Sequence, residues 1–363
     1  MAYNRKQRLN DNIKAIETAF ILDREQRTPT ARERLLLERY CGFGGLKCIL
    51  NPARELADAV HWAKSDLELF APTVELHRLI RENSKNESEY KQLMDSLKQS
   101  VLTAFYTPSA VTEALTDVLK EHQIIPEKVL EPSAGIGAFV DSVLDNNPKA
   151  DIMAFEKDLL TGKILHHLHP EQKVRIEGFE KIEKPFNDYF DLAISNIPFG
   201  DVAVFDPSYT AMKGMRALVT RRIHNYFFVK ALDTVRDGGL VAFITSQGVL
   251  NAKNNSAARF MMLYHADLVS AIRLPNNLFT ENANTEVGSD LIILQKNTQK
   301  ESLRGDDNLL DTVYNDENRI PTNNYFLEHP ERIIHTTAKL DTDPFGKPAM
   351  IYTHEDGVEG IAE

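Results

Sequence analysis

A four-residue stretch, Asn196-Ile197-Pro198-Phe199, combines groups that could act on an amino group attached to a flat heterocycle. Such an amine is a weak nucleophile because its lone pair is delocalised into the ring, so a catalyst must accept hydrogen bonds from its N–H groups. The Asn196 side-chain oxygen can accept one and the Ile197 carbonyl another, while Phe199 can stack on the ring. Pro198 restricts the backbone and disfavours a helix here. The alternative interpretation is an ordinary turn, since Asn and Pro are common turn formers.

The residues before this tetrad predict its place in the fold. Leu192-Ala193-Ile194 is an apolar run without polar alternation, which is typical of a parallel strand buried on both faces. The tetrad would then follow the carboxyl end of this strand, and open α/β sheets bind their ligands at that edge. With further apolar strands predicted at 240–245, 268–274 and 290–295, we expect a Rossmann-like α/β sheet with helices on both faces.

A glycine-rich turn predicts a binding site for a nucleotide-like cofactor. The apolar segment 129–131 leads into Pro132-Ser133-Ala134-Gly135-Ile136-Gly137, and a helix carrying Phe139 follows. Gly135 and Gly137 permit a positive φ and leave space for a ligand against the backbone. The third glycine of a dinucleotide fingerprint is absent, which favours another adenosyl cofactor over NAD.

Other positions could complete the two sites. Glu156 ends the next predicted strand, about 20 residues after the glycine turn, where an acid typically binds ribose hydroxyls. Thr107 is a plausible helix N-cap with Pro108 at the first helical position, and a helix start can bind a carboxylate. Phe179, expected at the end of the third strand, could stack on adenine, and Phe279 could form a second wall for the substrate base. Packing in the hydrophobic core is the alternative for both rings.

Length and composition indicate an ordinary globular protein. The 363 residues, 42% hydrophobic and 26% charged, can bury a large core and form more than one domain. No run approaches the about 20 apolar residues that a membrane helix requires, and no signal peptide is apparent, so we expect a cytoplasmic protein. The two cysteines, Cys41 and Cys48, have no metal-site spacing, and we predict no metal.

Charge is distributed unevenly along the chain. Of the net charge of -11, most comes from residues 301–363, which contain 14 Asp and Glu against 5 Lys and Arg. The preceding 300 residues are close to neutral, so charge neither supports nor excludes a DNA partner. We predict a helical N-terminal region over 1–100, a catalytic domain over 101–300, and an acidic tail or junction to missing domains over 301–363.

The segment after the tetrad mixes aromatic and basic residues. It contains Phe205 and Tyr209, and further on Lys213, Arg216, Arg221 and Arg222. Such a mixture beside a base pocket suits a nucleic-acid strand. It equally suits a solvated loop.

Together these motifs resemble the S-adenosylmethionine-dependent N6-adenine DNA methyltransferases of the gamma arrangement, in which the cofactor motifs precede the catalytic tetrad. The match covers about residues 101–297. The resemblance implies S-adenosylmethionine as cofactor, DNA as substrate, and Asn196 to Phe199 as the catalytic residues, with Phe199 stacked on a flipped base. It implies a cofactor site formed by Tyr106, Thr107, Pro108, Glu131, Pro132, Ala134, Gly135, Gly137, Phe139, Glu156 and Phe179.

Two positions depart from the family pattern. Ile197 replaces the first Pro of the usual Asn-Pro-Pro-Phe/Tyr tetrad, but the group required there is a backbone carbonyl, which Ile also provides. Gly178 stands where many relatives carry an Asp that binds the amino group of the cofactor. The Gly178 departure is expected to affect cofactor affinity more than turnover.

The N-terminus adds a more specific resemblance. Residues 28–46, which include Glu33, Tyr40 and Gly42-Phe43-Gly44-Gly45-Leu46, are similar to the leader of large methylase-helicase fusion proteins of conjugative transposons, plasmids and phages. That resemblance implies a mobile genetic element and a role in restriction-modification or anti-restriction. It also implies that the chain is either the methylase end of a longer polypeptide, with helicase domains missing here, or a shortened relative.

Three alternatives remain open at this point. An RNA-adenine or protein-glutamine methyltransferase uses the same tetrad, because an amide nitrogen poses the same chemical problem. A non-catalytic DNA-binding or assembly module could retain the S-adenosylmethionine pocket. A nicotinamide-dependent dehydrogenase is disfavoured by the glycine pattern.

Overall fold

A seven-stranded sheet forms the centre of the protein. The computed structural model describes residues 4–103, 106–212, 214–280, 286–303, 308–314, 319–343 and 346–362. The strand order is β3-β2-β1-β4-β5-β7-β6, and β7 alone runs antiparallel to its neighbours. This arrangement confirms the predicted Rossmann-like α/β sheet. The strands are β1 (Lys128–Glu131), β2 (Asp151–Phe155), β3 (Lys173–Arg175), β4 (Phe190–Asn196), β5 (Val235–Ser246), β6 (Ala266–Leu274) and β7 (Ser289–Lys296).

Successive residues of the central strands enter two different hydrophobic cores. In β4, Leu192 and Ile194 face one core and Ala193 faces the other. Side chains alternate across a strand, so an uninterrupted apolar run requires cover on both faces. Helices supply that cover. They are α5 (Ser109–Glu121), α6 (Ala138–Asn146), α7 (Leu159–Leu168), α8 (Pro207–Thr210), α9 (Met215–Val219), α10 (Ile223–Thr234), α11 (Gly248–Asn251) and α12 (Ser256–His265).

The N-terminal region is helical and has its own core. Its helices are α1 (Arg5–Glu25), α2 (Ala31–Leu37), α3 (Phe70–Glu82) and α4 (Glu87–Thr103). The start of α2 has a capping box, in which the Thr30 hydroxyl accepts from the Glu33 N–H and the Glu33 carboxylate accepts from the Thr30 N–H. This core includes Leu160 and Ile164 of α7, so the N-terminal helices pack directly on the sheet domain.

The segment after residue 300 differs from the predicted acidic tail. Its described part contains two small hairpins, β8 (Thr312–Tyr314) with β9 (Pro321–Asn323) and β10 (Thr337–Thr342) with β11 (Pro348–Thr353). Leu309 and Phe326 are buried in the core on one face of the sheet, and Ile361 in the core on the other. A few apolar side chains thus anchor a segment that is acidic in composition.

The third strand is also shorter than predicted. It ends at Arg175, and Phe179–Lys181 forms a separate 3-10 turn. Within the described residues, the structure contains no helix with both the length and the apolar character needed to cross a bilayer.

Candidate active site

The carboxyl ends of β1, β2 and β4 bring the predicted site residues to one edge of the sheet. Parallel pairing places Glu131 opposite Ala154 and Val129 opposite Leu192. Glu131 ends β1 and Asn196 ends β4, while Glu156 directly follows β2. A further contact joins the two predicted sites, because the Ser195 hydroxyl donates to the Ser133 carbonyl at 3.2 Å.

The glycine turn has the backbone conformation that its sequence predicts. Gly135 has φ of 57° and Gly137 has φ of 96°, both in the region that favours glycine. A Cβ added at Gly135 would lie 2.8 Å from Cε1 of Tyr106, so the tyrosine ring closes over the turn. The turn is attached to β2 through the Ala134 N–H, which donates to the Phe155 carbonyl at 2.8 Å.

Glu156 ties this turn to the second strand. Its carboxylate accepts from the Gly135 N–H at 2.9 Å and from the Asp158 N–H at 2.7 Å. A carboxylate offers about four acceptor positions, so capacity remains for hydroxyl donors such as those of a ribose. Burial and the nearby Asp158 carboxylate raise the pKa of Glu156 to about 8, although backbone hydrogen bonds from Asp158, Gly135 and Lys157 oppose this shift.

Glu131 is the most unusual acid of the site. It is 2% exposed, and its Oε2 atom has no hydrogen-bond partner among the described residues. Burial, then repulsion from Glu156 and Asp141, raises the pKa of Glu131 well above its ordinary value. A buried acceptor without a donor is costly, so this position fits a ligand that brings a cationic or N–H group. The amino group of S-adenosylmethionine has that character.

Glu156 makes a testable contribution to pH dependence. A pKa raised from 4.5 to about 8 means that the folded protein holds this proton more tightly than the unfolded chain. The resulting stability is complete below the unfolded pKa and is lost as pH rises toward the folded value. Glu156→Gln should therefore make the melting temperature fall less steeply between about pH 5 and pH 8. Calorimetry without cofactor measures this.

A matched control for that measurement is Glu121→Gln, which alters an exposed carboxylate at the end of α5. It should reproduce the profile of the unmodified protein. If the melting temperature of Glu156→Gln fell with pH as steeply as that of the unmodified protein, the Glu156 carboxyl would not be the group that holds the extra proton in the folded state.

Three predicted cofactor contacts differ in the structure. Thr107 is not the N-cap, because α5 begins at Ser109, Pro108 occupies the cap, and no side chain caps the helix. Phe139 is 2% exposed and lies in the core beneath α6. Phe179 is 1% exposed, with its ring centroid 5.3 Å from that of Phe227, so in this conformation the ring packs in a hydrophobic core. Burial of an aromatic ring cannot be read from its position in the sequence alone.

Two residues near the cofactor site were missed by sequence reasoning. Glu180 lies beside Gly178, where its carboxylate occupies the space that a side chain at 178 would enter. Asp158 caps α7 by accepting from the Thr161 N–H at 2.8 Å and from the Ser96 hydroxyl at 2.5 Å. The Asp-x-x-Thr spacing signals the cap formed by Asp158. No sequence pattern signals that the Glu180 carboxylate would lie where a side chain at position 178 would otherwise be.

The predicted catalytic tetrad leaves the sheet at the end of β4. The Ile197 N–H donates to the Ile244 carbonyl of β5 at 3.0 Å, and the Ile197 side chain is 1% exposed within a hydrophobic core. Gly200, with φ of 140°, then turns the chain away. The isoleucine thus joins the tetrad to the neighbouring strand by a bond that proline cannot make.

The predicted base slot is closed in this conformation. The Phe199 and Phe279 rings meet edge to face, with centroids 6.1 Å apart and planes at 75°. Phe279 is fully buried, so it packs in the core and does not form an open second wall as predicted. The amide oxygen of Asn196 is also covered from solvent. A planar base therefore reaches this edge only if the Phe199 side chain moves.

Ile197→Pro, which restores the common form of the tetrad, should destabilise this protein. It removes the N–H that bonds to Ile244, at a cost of about 1–3 kcal/mol in the free energy of unfolding, and it removes buried side-chain atoms. We expect a lower midpoint of unfolding in urea. Ile197→Val is the control, because it keeps the N–H and should cost only about 0.5–1.5 kcal/mol. Equal stability of the proline variant and the unmodified protein would contradict this interpretation.

The comparison with known proteins identifies the family. The family model described as N-6 DNA Methylase matches residues 88–351, which is most of the chain. The chain belongs to the N-6 DNA methylase family. This result confirms the predicted resemblance. The family implies S-adenosylmethionine as the cofactor, and the buried Glu131 and the glycine turn fit such a ligand.

Individual relatives of this N-6 DNA methylase cover only parts of it. It is 29% identical over 201 residues to the "Defense against restriction protein B" of Escherichia phage P1, covering 54% of this chain and 8% of that protein. It is 24% identical over 173 residues to the type II methyltransferase M.XamI of Xanthomonas campestris pv. amaranthicola, covering 44% of this chain and 33% of that enzyme. The matches thus span at most a third of these relatives.

A solved structure is also similar in fold. It is a protein of Listeria monocytogenes assigned to the class I S-adenosylmethionine-dependent methyltransferases, with a TM-score of 0.47 and 15% sequence identity. The similarity covers 83% of this chain and 91% of that one.

Proposed function

We propose that this chain transfers the methyl group of S-adenosylmethionine to the N6 amino group of adenine in DNA. One observation supports this proposal. Glu131, Glu156 and the tetrad that begins at Asn196 lie at the same edge of the sheet. When bound, the cofactor would supply an electrophilic methyl group and be left as a neutral thioether when its sulfur–methyl bond breaks, while the proton displaced from N6 passes to solvent. Glu131 would accept from its amino group, and Glu156 would accept from its ribose hydroxyls. Glu180, beside Gly178, takes the place of the Asp that many relatives carry for the adenine amino group.

The tetrad acts on the target base. The Asn196 amide oxygen and the Ile197 carbonyl accept hydrogen bonds from the two N–H groups of the adenine amine, so electron density returns to its nitrogen. Phe199 leaves its contact with Phe279 and stacks on the extruded base. Orientation and preorganised acceptors provide most of the rate in this scheme, without a covalent intermediate on the protein.

The wider biological role follows from the relatives' names and the N-terminal motif. We infer that this methylase acts as part of a longer polypeptide, or beside helicase domains supplied by another chain, in restriction-modification or anti-restriction. The match to a small fraction of a phage protein named for defence against restriction supports this view.

A second candidate function is a DNA-binding or assembly module that binds S-adenosylmethionine without transferring its methyl group. The observation in its favour is the closed base side, where Phe279 is buried against Phe199 and the Asn196 amide oxygen is covered. Under that reading the closed contact persists when DNA is bound.

The test uses radiolabelled S-adenosylmethionine with duplex DNA, single-stranded DNA, RNA and protein in separate reactions, followed by nucleoside analysis. We expect label in N6-methyldeoxyadenosine from DNA. Label in RNA adenosine or in glutamine of the protein sample would assign the alternative substrates. Tight cofactor binding in calorimetry, with no label in any polymer, would establish the non-catalytic module.

A further inference from the structure

A cleft of about 460 Å³ opens beside the loop that follows the tetrad, with polar and apolar residues in its lining. Its size falls within the about 300–1,000 Å³ of typical ligand sites. Asp201 on the loop after the tetrad lines it, together with the residues that start α10 and the first turn of α12. Because α10 precedes β5 and runs antiparallel to it, the start of this helix lies at the same edge of the sheet as the tetrad. The lining residues used below are Asp201, Arg221, Arg222, Asn225 and Ala257.

The cleft has an anion-binding character. Arg221 is exposed and makes no ion pair with any residue that the structure describes. Arg222 is the N-cap residue of α10, and no side chain caps this 12-residue helix. The first N–H groups of such a helix lack intrahelical partners and favour negative charge. The Arg222 guanidinium binds Asp201 at 2.5 Å and the Asn255 amide oxygen at 2.6 Å, so its position is already set.

A buried acceptor in the same cleft points to a second ligand group. Asn225 is 4% exposed, and its Nδ2 donates to Asn255 Oδ1 at 2.9 Å. Asn255 is held in turn, since its Nδ2 donates to the Gly248 carbonyl at 2.8 Å. This network orients the Asn225 amide and leaves its Oδ1, which solvent does not reach in this conformation, without a hydrogen-bond partner within the described part of the chain. A ligand that satisfies the cleft therefore carries both an anion and an N–H donor.

We propose that this cleft binds the nucleotide adjacent to the target adenine in the DNA strand. Its phosphate contacts Arg221 and the start of α10, and an N–H group of its base donates to Asn225 Oδ1. Asp201 is two residues from Phe199, a separation of at most about 7 Å along the chain, which suits neighbouring nucleotides. The assignment rests on the proposed function in taking DNA as the ligand. A free mononucleotide offers the same chemistry, and the experiment separates the two sources.

The test measures binding of a fluorescent DNA duplex by anisotropy over a series of salt concentrations, with cofactor affinity and methylation of the same duplex measured separately. Arg221→Gln should weaken duplex binding by about tenfold and reduce the slope of log affinity against log salt by about one. Ala257→Phe places a larger side chain in the cleft from the partly exposed first turn of α12. It should weaken duplex binding without changing the slope of log affinity against log salt. The matched control is Arg32→Gln, an exposed arginine of α2 that makes no ion pair with a described residue.

Each outcome decides the assignment. The slope change in Arg221→Gln and its absence in Arg32→Gln would support it, even if the unmodified protein methylates nothing, in which case only the proposed function fails. Unchanged duplex binding by both Arg221→Gln and Ala257→Phe would overturn it. Loss of affinity for a labelled mononucleotide with unchanged duplex binding would assign the cleft to a free nucleotide and overturn the strand contact. Failure of the unmodified protein to bind duplex at low salt would also overturn it.

Discussion

Asn196→Ala should lower the rate of methyl transfer by at least about 100-fold while the affinity for S-adenosylmethionine stays near that of the unmodified protein. The amide oxygen of Asn196 is one of only two acceptors assigned to the target amine, and alanine offers none. The cofactor contacts assigned to Glu131 and Glu156 lie on other strands, so they persist in the variant. Single-turnover transfer and calorimetric cofactor binding measure the two quantities.

A matched control exists at the other end of the same strand. Asn187 is exposed just before β4, and Asn187→Ala should change neither quantity. Melting curves of both variants separate chemistry from folding. If Asn196→Ala lost transfer and cofactor affinity in equal proportion, or melted far below the control, the asparagine would be structural and the proposed mechanism would fail.

Gly137→Ala should produce the largest loss of stability and cofactor affinity among single substitutions in the glycine turn. Gly137 has φ of 96°, and a side chain in this region costs about 1–2 kcal/mol. The added Cβ would also collide with the His169 imidazole and stand 2.9 Å from Leu165 Cδ1. Both neighbours are buried, so relief of the collision adds about 1–3 kcal/mol and displaces the turn.

Gly214→Ala is a control that separates strain from collision. Gly214 has φ of 90°, close to that of Gly137, but no described atom lies within 4 Å of a Cβ added there. Urea unfolding should show only the strain cost for Gly214→Ala and both costs for Gly137→Ala. Calorimetry should show weakened cofactor binding for Gly137→Ala alone. Equal losses of unfolding free energy in the two variants would mean that His169 and Leu165 move aside without a measurable energetic cost.

Much of the fold could be predicted because local rules suffice for it. The apolar run in β4 requires cover on both faces, and the glycine turn between a strand and a helix requires positive φ at Gly135 and Gly137. The capping box at Thr30 likewise depends only on residues three positions apart. Parallel strands then place their carboxyl ends at one edge, which brings Glu131, Glu156 and Asn196 near one another.

The aromatic residues show where such reasoning ends. Phe179 and Phe279 stand at sequence positions suited to stacking on a ligand, yet both are buried against other rings of the protein. Whether a ring faces a cavity or a core depends on helices and loops far away in the chain. The segment after residue 300 is acidic in composition, but its packing depends on distant elements in the same way. Leu309, Phe326 and Ile361 anchor it to two separate hydrophobic cores.

The sequence by itself determined the kind of sheet, the edge at which chemistry can occur, and the residue types available there, because periodicity, glycine turns and strand ends are local properties. Only the tertiary structure decided that Ile197 is bonded to β5, that the Phe199 side chain closes the base side, and that Glu180 lies beside Gly178. Only it revealed the cleft between Asp201 and α10. These features join residues from separate elements, and their energies depend on distances that no local pattern encodes.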